Sequence, residues 1–200
     1  MCNMENAYFK NIIAVTNRHL CEGGMEEYLA QIERICLCHP KAVIFREKDM
    51  PEEAYGDILE KAKAICDRYH VACIAHTYWK TAEKLDIQAI HMPLLLLQNN
   101  PELRQKFKTV GVSAHSLNDV LLAEQLGATY VTAGHIFATS CKPNLPPRGT
   151  DFLREICGAA SIPVYAIGGM QTNEDCLKQM QHLGAAGICV MSECMTWGIC

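Results

Sequence analysis

Residues 164–191 read VYAIGGMQTNEDCLKQMQHLGAAGICVM, an apolar strand, an amphipathic helix and a second apolar strand in succession. We predict strands at Val164–Gly168 and Gly187–Met191 and a helix at Asn173–Leu183. Gly184 follows the helix at the position where a left-handed residue commonly ends one. Both strands are nearly continuous apolar runs, as in parallel strands that are covered on both faces. The stretch therefore predicts a strand–helix–strand unit with a right-handed crossover.

The same alternation continues along the whole chain. Further amphipathic helices are predicted at Met25–Cys38, Pro51–Tyr69 and Leu117–Leu126. With the two strands above, eight strands are predicted, the others at Ile12–Thr16, Ala42–Glu47, Ala72–Thr77, Ala89–Met92, Val110–His115 and Tyr130–Ile136. Eight such units predict a single-domain (β/α)8 TIM barrel over residues 1–200. Because only Ser192–Cys200 follows the last strand, we expect a truncated final helix and, on the side it leaves bare, a possible homodimer interface.

An open doubly wound sheet is the main alternative fold. That fold carries a glycine-rich turn after its first strand, which binds dinucleotide phosphates. The residues after the first predicted strand are instead NRHLCEGG, from Asn17 to Gly24. The sequence therefore favours the barrel.

Composition places the chain among ordinary globular proteins. It has 200 residues, 50% of them hydrophobic and 20% charged, with a net charge of -4. No apolar run is long enough to cross a bilayer, and the first residues do not resemble a signal peptide, so we expect a cytoplasmic protein without membrane contact. The basic residues are scattered, which argues against nucleic-acid binding. The twelve cysteines form no CxxC pair, and we expect them to be reduced and mostly structural.

Candidate phosphate ligands lie at the ends of the last two strands. In this fold functional residues lie at the carboxyl ends of the strands, and the last two loops often bind phosphate. Gly168 and Gly169 let backbone N–H groups approach an anion, and Met191 and Ser192 form a second turn beside them. The alternative is that the two glycines only make a tight turn.

Two cations lie at the end of the second predicted strand. Arg46 and Lys48 flank Glu47, and strand alternation points both basic side chains the same way. A pair of cations at a barrel mouth suits a carboxylate or phosphate ligand. An exposed rim of salt bridges is the alternative.

His135 is the candidate acid/base residue. It follows Gly134 near the end of an apolar strand, where a histidine can act in proton transfer or be a buried, hydrogen-bonded core residue. His76, His91, His115 and His135 together raise the alternative of a metal site, but their spacing specifies none. We predict neither a metal nor another cofactor.

At these residues the sequence resembles the thiamine phosphate synthase/thiazole tautomerase superfamily. The resemblance extends from about Ile12 to Glu193. Its motifs are AVTN, VIFREKD, AIHMP, VGVSAHSLNDV, GATYVTAGHIFATSCK, RGTDFLREIC, IPVYAIGGM and GAAGICVMSE.

The superfamily has two branches, and the motifs favour the second. The synthase branch uses magnesium to join a pyrimidine pyrophosphate to a thiazole phosphate, and its two metal-binding aspartates are replaced here by Thr77 and Leu96. Leucine offers no oxygen ligand to a hard dication. Gly134-His135 and the FATSCK stretch that follows resemble the thiazole tautomerase (TenI) branch.

This resemblance implies a thiazole tautomerase, an isomerase of thiamine biosynthesis. His135 would carry a proton in the metal-independent aromatisation of a carboxy-thiazole phosphate. A thiamine phosphate synthase (thiamine-phosphate pyrophosphorylase), or a non-catalytic regulatory barrel that binds a thiazole or thiamine phosphate, are the alternatives. Residues predicted to bind the phosphorylated thiazole are Arg46, Lys48, His76, Ser113, Thr139, Lys142, Gly168, Gly169, Met191 and Ser192.

Overall fold

Eight parallel strands form a closed barrel in chain order, which confirms the predicted fold. The computed structural model describes residues 7–139 and 145–198. The strands are β1 (Ile12–Val15), β2 (Ala42–Phe45), β3 (Ala72–His76), β4 (Ala89–Pro93), β5 (Thr109–Ala114), β6 (Tyr130–Gly134), β7 (Val164–Ile167) and β8 (Gly187–Val190).

Helices surround this sheet. They are α1 (Gly24–Leu37), α2 (Glu52–Arg68), α3 (Trp79–Lys84), α4 (Leu94–Asn99), α5 (Leu103–Lys106), α6 (Leu117–Gln125), α7 (Gly149–Ala159) and α8 (Glu174–His182). The four helices predicted from amphipathic periodicity lie within a residue or two of their expected bounds. Three of the four helices that were not predicted have only four to six residues, too few to display a periodic apolar face. None of the described helices is long and apolar enough to span a membrane.

Strand β6 ends two residues earlier than predicted. The carbonyl groups of His135 and Ile136 accept hydrogen bonds from the backbone N–H groups of Arg148 and Gly149. The chain at residues 135–136 is therefore bonded through its carbonyls to the loop before α7. This places His135 at the barrel mouth rather than within the sheet.

In the described residues after β8, a short 3-10 turn at Cys194–Thr196 takes the place of a full helix, as predicted. The side of the barrel beside it is nevertheless covered. Trp197 is 9% exposed and packs edge-on against Phe9, with ring centroids 4.9 Å apart. The Gln31 amide of α1 donates hydrogen bonds to the carbonyls of Cys194 and Trp197. The expected bare side is therefore wrong, and the homodimer stays a prediction.

Most cysteines in the described residues are free thiols, as predicted. Cys36 and Cys66 lie buried between α1 and α2 with their sulfur atoms 3.8 Å apart. Cys38 departs from the prediction because it is disulfide-bonded.

Alternation along the strands divides the core into two parts. The larger part lies between the sheet and the helices. The smaller part fills the barrel interior with inward side chains of Ile13, Val15, Ala42, Ile44, Ile74, Tyr130, Tyr165 and Cys189. The barrel is therefore filled at its centre, and a ligand has access only near its rim.

Two inward glycines make room for the two interior tyrosines. A Cβ atom on Gly111 would lie 2.1 Å from Cζ of Tyr130. A Cβ atom on Gly187 would lie 2.0 Å from the carbonyl oxygen of Asn11 and 3.0 Å from Cε1 of Tyr165. The barrel interior therefore depends on glycine at both positions.

We expect Gly187→Ala to lower the free energy of unfolding by about 1–3 kcal/mol, the usual effect of overpacking a filled core. Its Cβ would meet backbone, which cannot move aside as a flexible side chain does. Gly158→Ala is the control, because a Cβ on this α7 glycine meets nothing within 4 Å. Urea denaturation measures both variants, and equal stability of the two would contradict this explanation of the glycine.

Candidate active site

A cavity of about 820 Å³ opens at the carboxyl ends of the strands. Seven strands contribute to its lining, at or near their ends, through Val15, Arg46, Pro93, Ser113, Thr132, Ile167 and Cys189. It lies where functional residues are expected in a barrel of this kind.

One side of the cavity is formed by the double-glycine turn after β7. Gly168 and Gly169 both have left-handed backbone conformations, with φ of 100° and 68°. Added Cβ atoms would lie 2.4 Å from Cβ of His135 and 2.7 Å from the carbonyl oxygen of Ala138. Close packing therefore explains the glycines, as in the tight-turn alternative. Both glycines also line the cavity together with Met191 and Ser192, so the phosphate prediction keeps its geometric basis.

A second part of the cavity lining, after β2, carries the two predicted cations. Arg46 and Lys48 line the cavity, whereas the Glu47 side chain between them is 2% exposed and lies elsewhere. The Glu47 carboxylate accepts hydrogen bonds from the hydroxyl groups of Thr16 (2.9 Å) and Tyr28 (2.6 Å). It also accepts from Arg18, through the backbone N–H and the guanidinium. Glu47 thus fixes the end of β2 while its neighbours face the cavity.

Two buried histidines lie beneath these cations. The ring centroids of His76 and His91 are 5.8 Å apart, and the side chains are 4% and 3% exposed. Burial, and then the positive charges of Lys48 and Arg46, lower the pKa of His91 to about 3. Burial and the same cations, together with His91, hold the pKa of His76 well below its usual range. Both imidazoles are therefore neutral near pH 7.

His91 is hydrogen-bonded on both ring nitrogens. Its Nδ1 lies 3.0 Å from the Tyr130 hydroxyl, and its Nε2 lies 2.9 Å from the Ser113 hydroxyl. His76 is bonded instead to its neighbour, with Nδ1 2.6 Å from the Thr77 hydroxyl. His76 is not among the cavity-lining residues that the structure describes, so direct ligand contact by it, as predicted, is not supported.

His135 and His115 lie on the far side of the mouth. His135 is 5% exposed and lines the cavity, and its Nε2 donates to the Leu145 carbonyl at 3.2 Å. His115 Nδ1 donates to the Gly134 carbonyl at 3.0 Å. Within residues 7–139 and 145–198, no group of three histidine, cysteine or carboxylate side chains is placed to hold a metal ion.

The remaining predicted ligands have mixed outcomes. Ser113 and Thr139 line the cavity, and Lys142 lies outside the described residues. Sequence reasoning missed Leu94, Leu95, Thr132 and Glu193, which also line it. The signal for the two leucines was available, because they follow a predicted strand at its carboxyl end.

These features define a (β/α)8 barrel whose carboxyl-end cavity has cations on one side and a double-glycine turn on the other, an arrangement suited to anionic ligands. Residues 12–194 match the thiamine monophosphate synthase family (TMP-TENI), and the chain belongs to this family.

Named relatives agree with this membership. Thiamine-phosphate synthase 2 of Streptococcus pneumoniae serotype 4 is 32% identical over 188 residues, covering 90% of this chain and 85% of that protein. The thiamine-phosphate synthase of Enterococcus faecalis is 32% identical over 174 residues, covering 84% of this chain and 80% of that protein. The solved structure of thiamine phosphate pyrophosphorylase from Pyrococcus furiosus superposes on this chain with a TM-score of 0.76. The superposition covers 95% of this chain and 92% of that one, at 22% sequence identity, and it shows that the two folds are alike.

The predicted superfamily is confirmed, but the thiazole tautomerase interpretation is contradicted. Relatives at about 30% identity over most of the chain are named thiamine-phosphate synthase, which is a transferase rather than an isomerase. The residues behind the earlier interpretation were Gly134-His135, Thr77 and Leu96. They describe one loop and two lost metal ligands, and these do not define the reaction.

The buried neutral histidines predict a loss of stability in acid. In the unfolded chain these histidines bind protons below about pH 6.5. In the folded chain His91 does not bind a proton until the pH is near 3. Between these two pH values the free energy of unfolding therefore falls as the pH falls. Each such histidine contributes a slope of about 1.4 kcal/mol per pH unit. We expect His91→Gln to remove one such slope between about pH 5.5 and pH 4.

His182→Gln is the matched control, because His182 is exposed on α8. Urea denaturation at a series of pH values measures all three proteins. Parallel pH profiles for wild type and His91→Gln would contradict the buried neutral state of His91.

Proposed function

We propose that this chain is a transferase of the thiamine-phosphate synthase type, which joins a pyrimidine pyrophosphate to a thiazole phosphate. Its relatives bear that name over most of the chain. The carrying observation is that Arg46 and Lys48 on one side, and the Gly168-Gly169 turn on the other, line one cavity. Two anion-suited sides in one cavity match a reaction between two phosphorylated substrates.

In this proposal each side takes one substrate. Arg46 and Lys48 bind the pyrophosphate, because cationic donors form the strongest hydrogen bonds to phosphate oxygens. The double-glycine turn and Ser192 bind the phosphate of the thiazole. His135, beside that turn, contacts the thiazole phosphate.

The cavity also has an apolar wall. Val15, Leu94, Leu95 and Ile167 line the cavity, and Leu95 is 66% exposed. Apolar walls with a few polar groups are typical of sites for small aromatic ligands. We propose that this wall contacts the pyrimidine and thiazole rings.

Magnesium, which the resemblance implies for synthases, does not fit the residues near the cavity in the part of the chain that the structure describes. It is bound through oxygen ligands, carboxylates above all. Near the mouth, Glu47 is engaged by Thr16, Tyr28 and Arg18, and Glu193 accepts from the backbone N–H and hydroxyl of Thr172. Asp119 also lines the cavity, and its carboxylate accepts from the backbone N–H of His115. These carboxylates form no group of three placed to hold a metal ion within residues 7–139 and 145–198. At the positions of the lost aspartates, the Thr77 hydroxyl is bonded to His76, and Leu96 packs against the core. No catalytic step is therefore assigned to a metal.

The chemistry of this chain then rests on its cations. Release of pyrophosphate places negative charge on the leaving group, and preorganised positive groups stabilise such developing charge. Arg46 and Lys48 both line the cavity, so the two cations can act on one ligand.

The direct test is a coupling assay with pyrimidine pyrophosphate and thiazole phosphate, run with magnesium and with a chelator. We expect thiamine phosphate and pyrophosphate in equal amounts, with turnover that survives the chelator. Chromatography measures both products. Absence of thiamine phosphate in both arms would rule out the transferase.

A second candidate is a non-catalytic barrel that binds a thiazole or thiamine phosphate. The observation that favours it is the same lack, among the described residues, of a carboxylate set for a dication. It predicts saturable binding of thiamine phosphate by calorimetry with no product in the coupling assay. The cytoplasmic location and the homodimer also remain predictions.

Arg46→Gln should weaken binding of inorganic pyrophosphate about tenfold or more, because a charge-assisted hydrogen bond is lost. Lys41→Gln is the control, since Lys41 is exposed at the opposite end of the same strand. Isothermal titration calorimetry measures both variants. Equal affinities in the two would place the pyrophosphate away from β2.

A further inference from the structure

Three side chains on neighbouring strands form a hydrogen-bonded chain from the barrel interior to the cavity. The Tyr130 hydroxyl lies 3.0 Å from His91 Nδ1, and His91 Nε2 lies 2.9 Å from the Ser113 hydroxyl. Tyr130 and His91 are buried, at 5% and 3% exposed. Ser113 is partly exposed and lines the cavity. The Ser113 hydroxyl thus joins a buried polar chain to the ligand space.

Glycine on the middle strand makes this chain possible. His91 on β4 is paired with Gly111 on β5, and Gly111 with Tyr130 on β6, so the three residues lie side by side. A Cβ atom on Gly111 would overlap the ring of Tyr130. Only glycine at this position lets the Tyr130 side chain extend over the inner face of β5, so that its hydroxyl reaches His91. Ser113 lies two residues further along β5 and points to the same interior.

The polarity of the chain follows from its ends. A neutral imidazole has one donor nitrogen and one acceptor nitrogen. Within the described residues, the Tyr130 hydroxyl makes no other hydrogen bond. If His91 donated to Tyr130, the phenolic proton would be buried without an acceptor, which is costly. Tyr130 therefore donates to Nδ1, and the Nε2–H group donates to the oxygen of Ser113.

This polarity determines what Ser113 can offer to a ligand. Its oxygen accepts from His91, and its own proton has no acceptor among residues 7–139 and 145–198. The proton is therefore available to the cavity. Arg46 and Lys48 line the same cavity and lie near enough to His91 to lower its pKa.

We propose that Tyr130 and His91 are positioning residues that hold the Ser113 hydroxyl as a hydrogen-bond donor to an anionic oxygen of the ligand. The inference rests on the proposed function insofar as that oxygen belongs to a phosphate or pyrophosphate group. Tyr130 and His91 do not touch the ligand. They act by preventing Ser113 from donating inward to the imidazole.

The first test needs no ligand, and its readout is taken from the wild-type protein. Nitrogen-15 NMR of the histidine rings distinguishes the two neutral tautomers, and the spectrum of His91→Gln identifies the His91 signals. We expect the Nε2–H tautomer in the wild-type protein at pH 7. An Nδ1–H tautomer at His91 would reverse the chain and overturn the proposal.

The second test measures binding of inorganic pyrophosphate by calorimetry in a double-mutant cycle. Ser113→Ala removes the donor, and Tyr130→Phe frees His91 to accept from Ser113, so each should weaken binding about tenfold. The double variant should bind no more weakly than Ser113→Ala alone, because both changes remove one donor. Additive losses would overturn the proposal.

Tyr165→Phe is the matched control. Tyr165 is the neighbouring interior tyrosine, with its ring centroid 5.8 Å from that of Tyr130, and it makes no hydrogen bond to His91. We expect unchanged affinity. A loss equal to that of Tyr130→Phe would make the effect a general one of interior packing and overturn the inference. Should Tyr130→Phe fail to fold, the tautomer alone decides.

The outcomes separate this inference from the proposed function. If the expected tautomer and the coupled affinities are observed but no thiamine phosphate forms, the proposed transferase activity is contradicted. The proposed role of Ser113 as a donor is then still supported. If thiamine phosphate forms but the losses of pyrophosphate affinity are additive, the positioning role of Tyr130 and His91 is contradicted. The proposed transferase activity is then still supported.

Discussion

The pairing of β1 with β8 is the constraint on which the rest of the structure depends. Hydrogen bonds that align Ile13 with Cys189 close the sheet, so every strand has an inward face that shares one narrow interior. Two tyrosines enter that interior, and the glycines at 111 and 187 leave space for them. Closure also gathers all eight carboxyl ends into one rim. The cavity, its cations and its buried histidines therefore follow from a single topological condition.

Much of the fold was predictable because its signals are local. Apolar runs located all eight strands, and Gly184 marked a helix end that does adopt a left-handed conformation. The errors lie where local signals are weak. Short helices such as Leu103–Lys106 have no periodicity to detect, and the early end of β6 depends on hydrogen bonds to a loop about a dozen residues away.

The site was predictable only in part, and for a related reason. Alternation around Glu47 placed Arg46 and Lys48 on the cavity side, and the double glycine marked another part of the cavity lining. The Tyr130–His91–Ser113 chain could not be predicted, because it depends on the pairing between three strands and on a glycine that leaves the space empty. The reaction was predicted wrongly from Thr77 and Leu96, which replace the two aspartates of the synthase branch. Such replacements indicate that a metal site is absent, but they do not indicate which bond the enzyme forms.

The end of β2 separates structural anchoring from ligand contact within three consecutive residues. Glu47 ties this strand to Tyr28 of α1 and to Arg18 after β1, while its two neighbours face the opposite direction. The ligand-facing positions of this rim can therefore be changed separately from the residue that holds the strand in place. Positions 46 and 48 offer two adjustable sites for recruiting other ligands into this scaffold, provided that the carboxylate between them is retained.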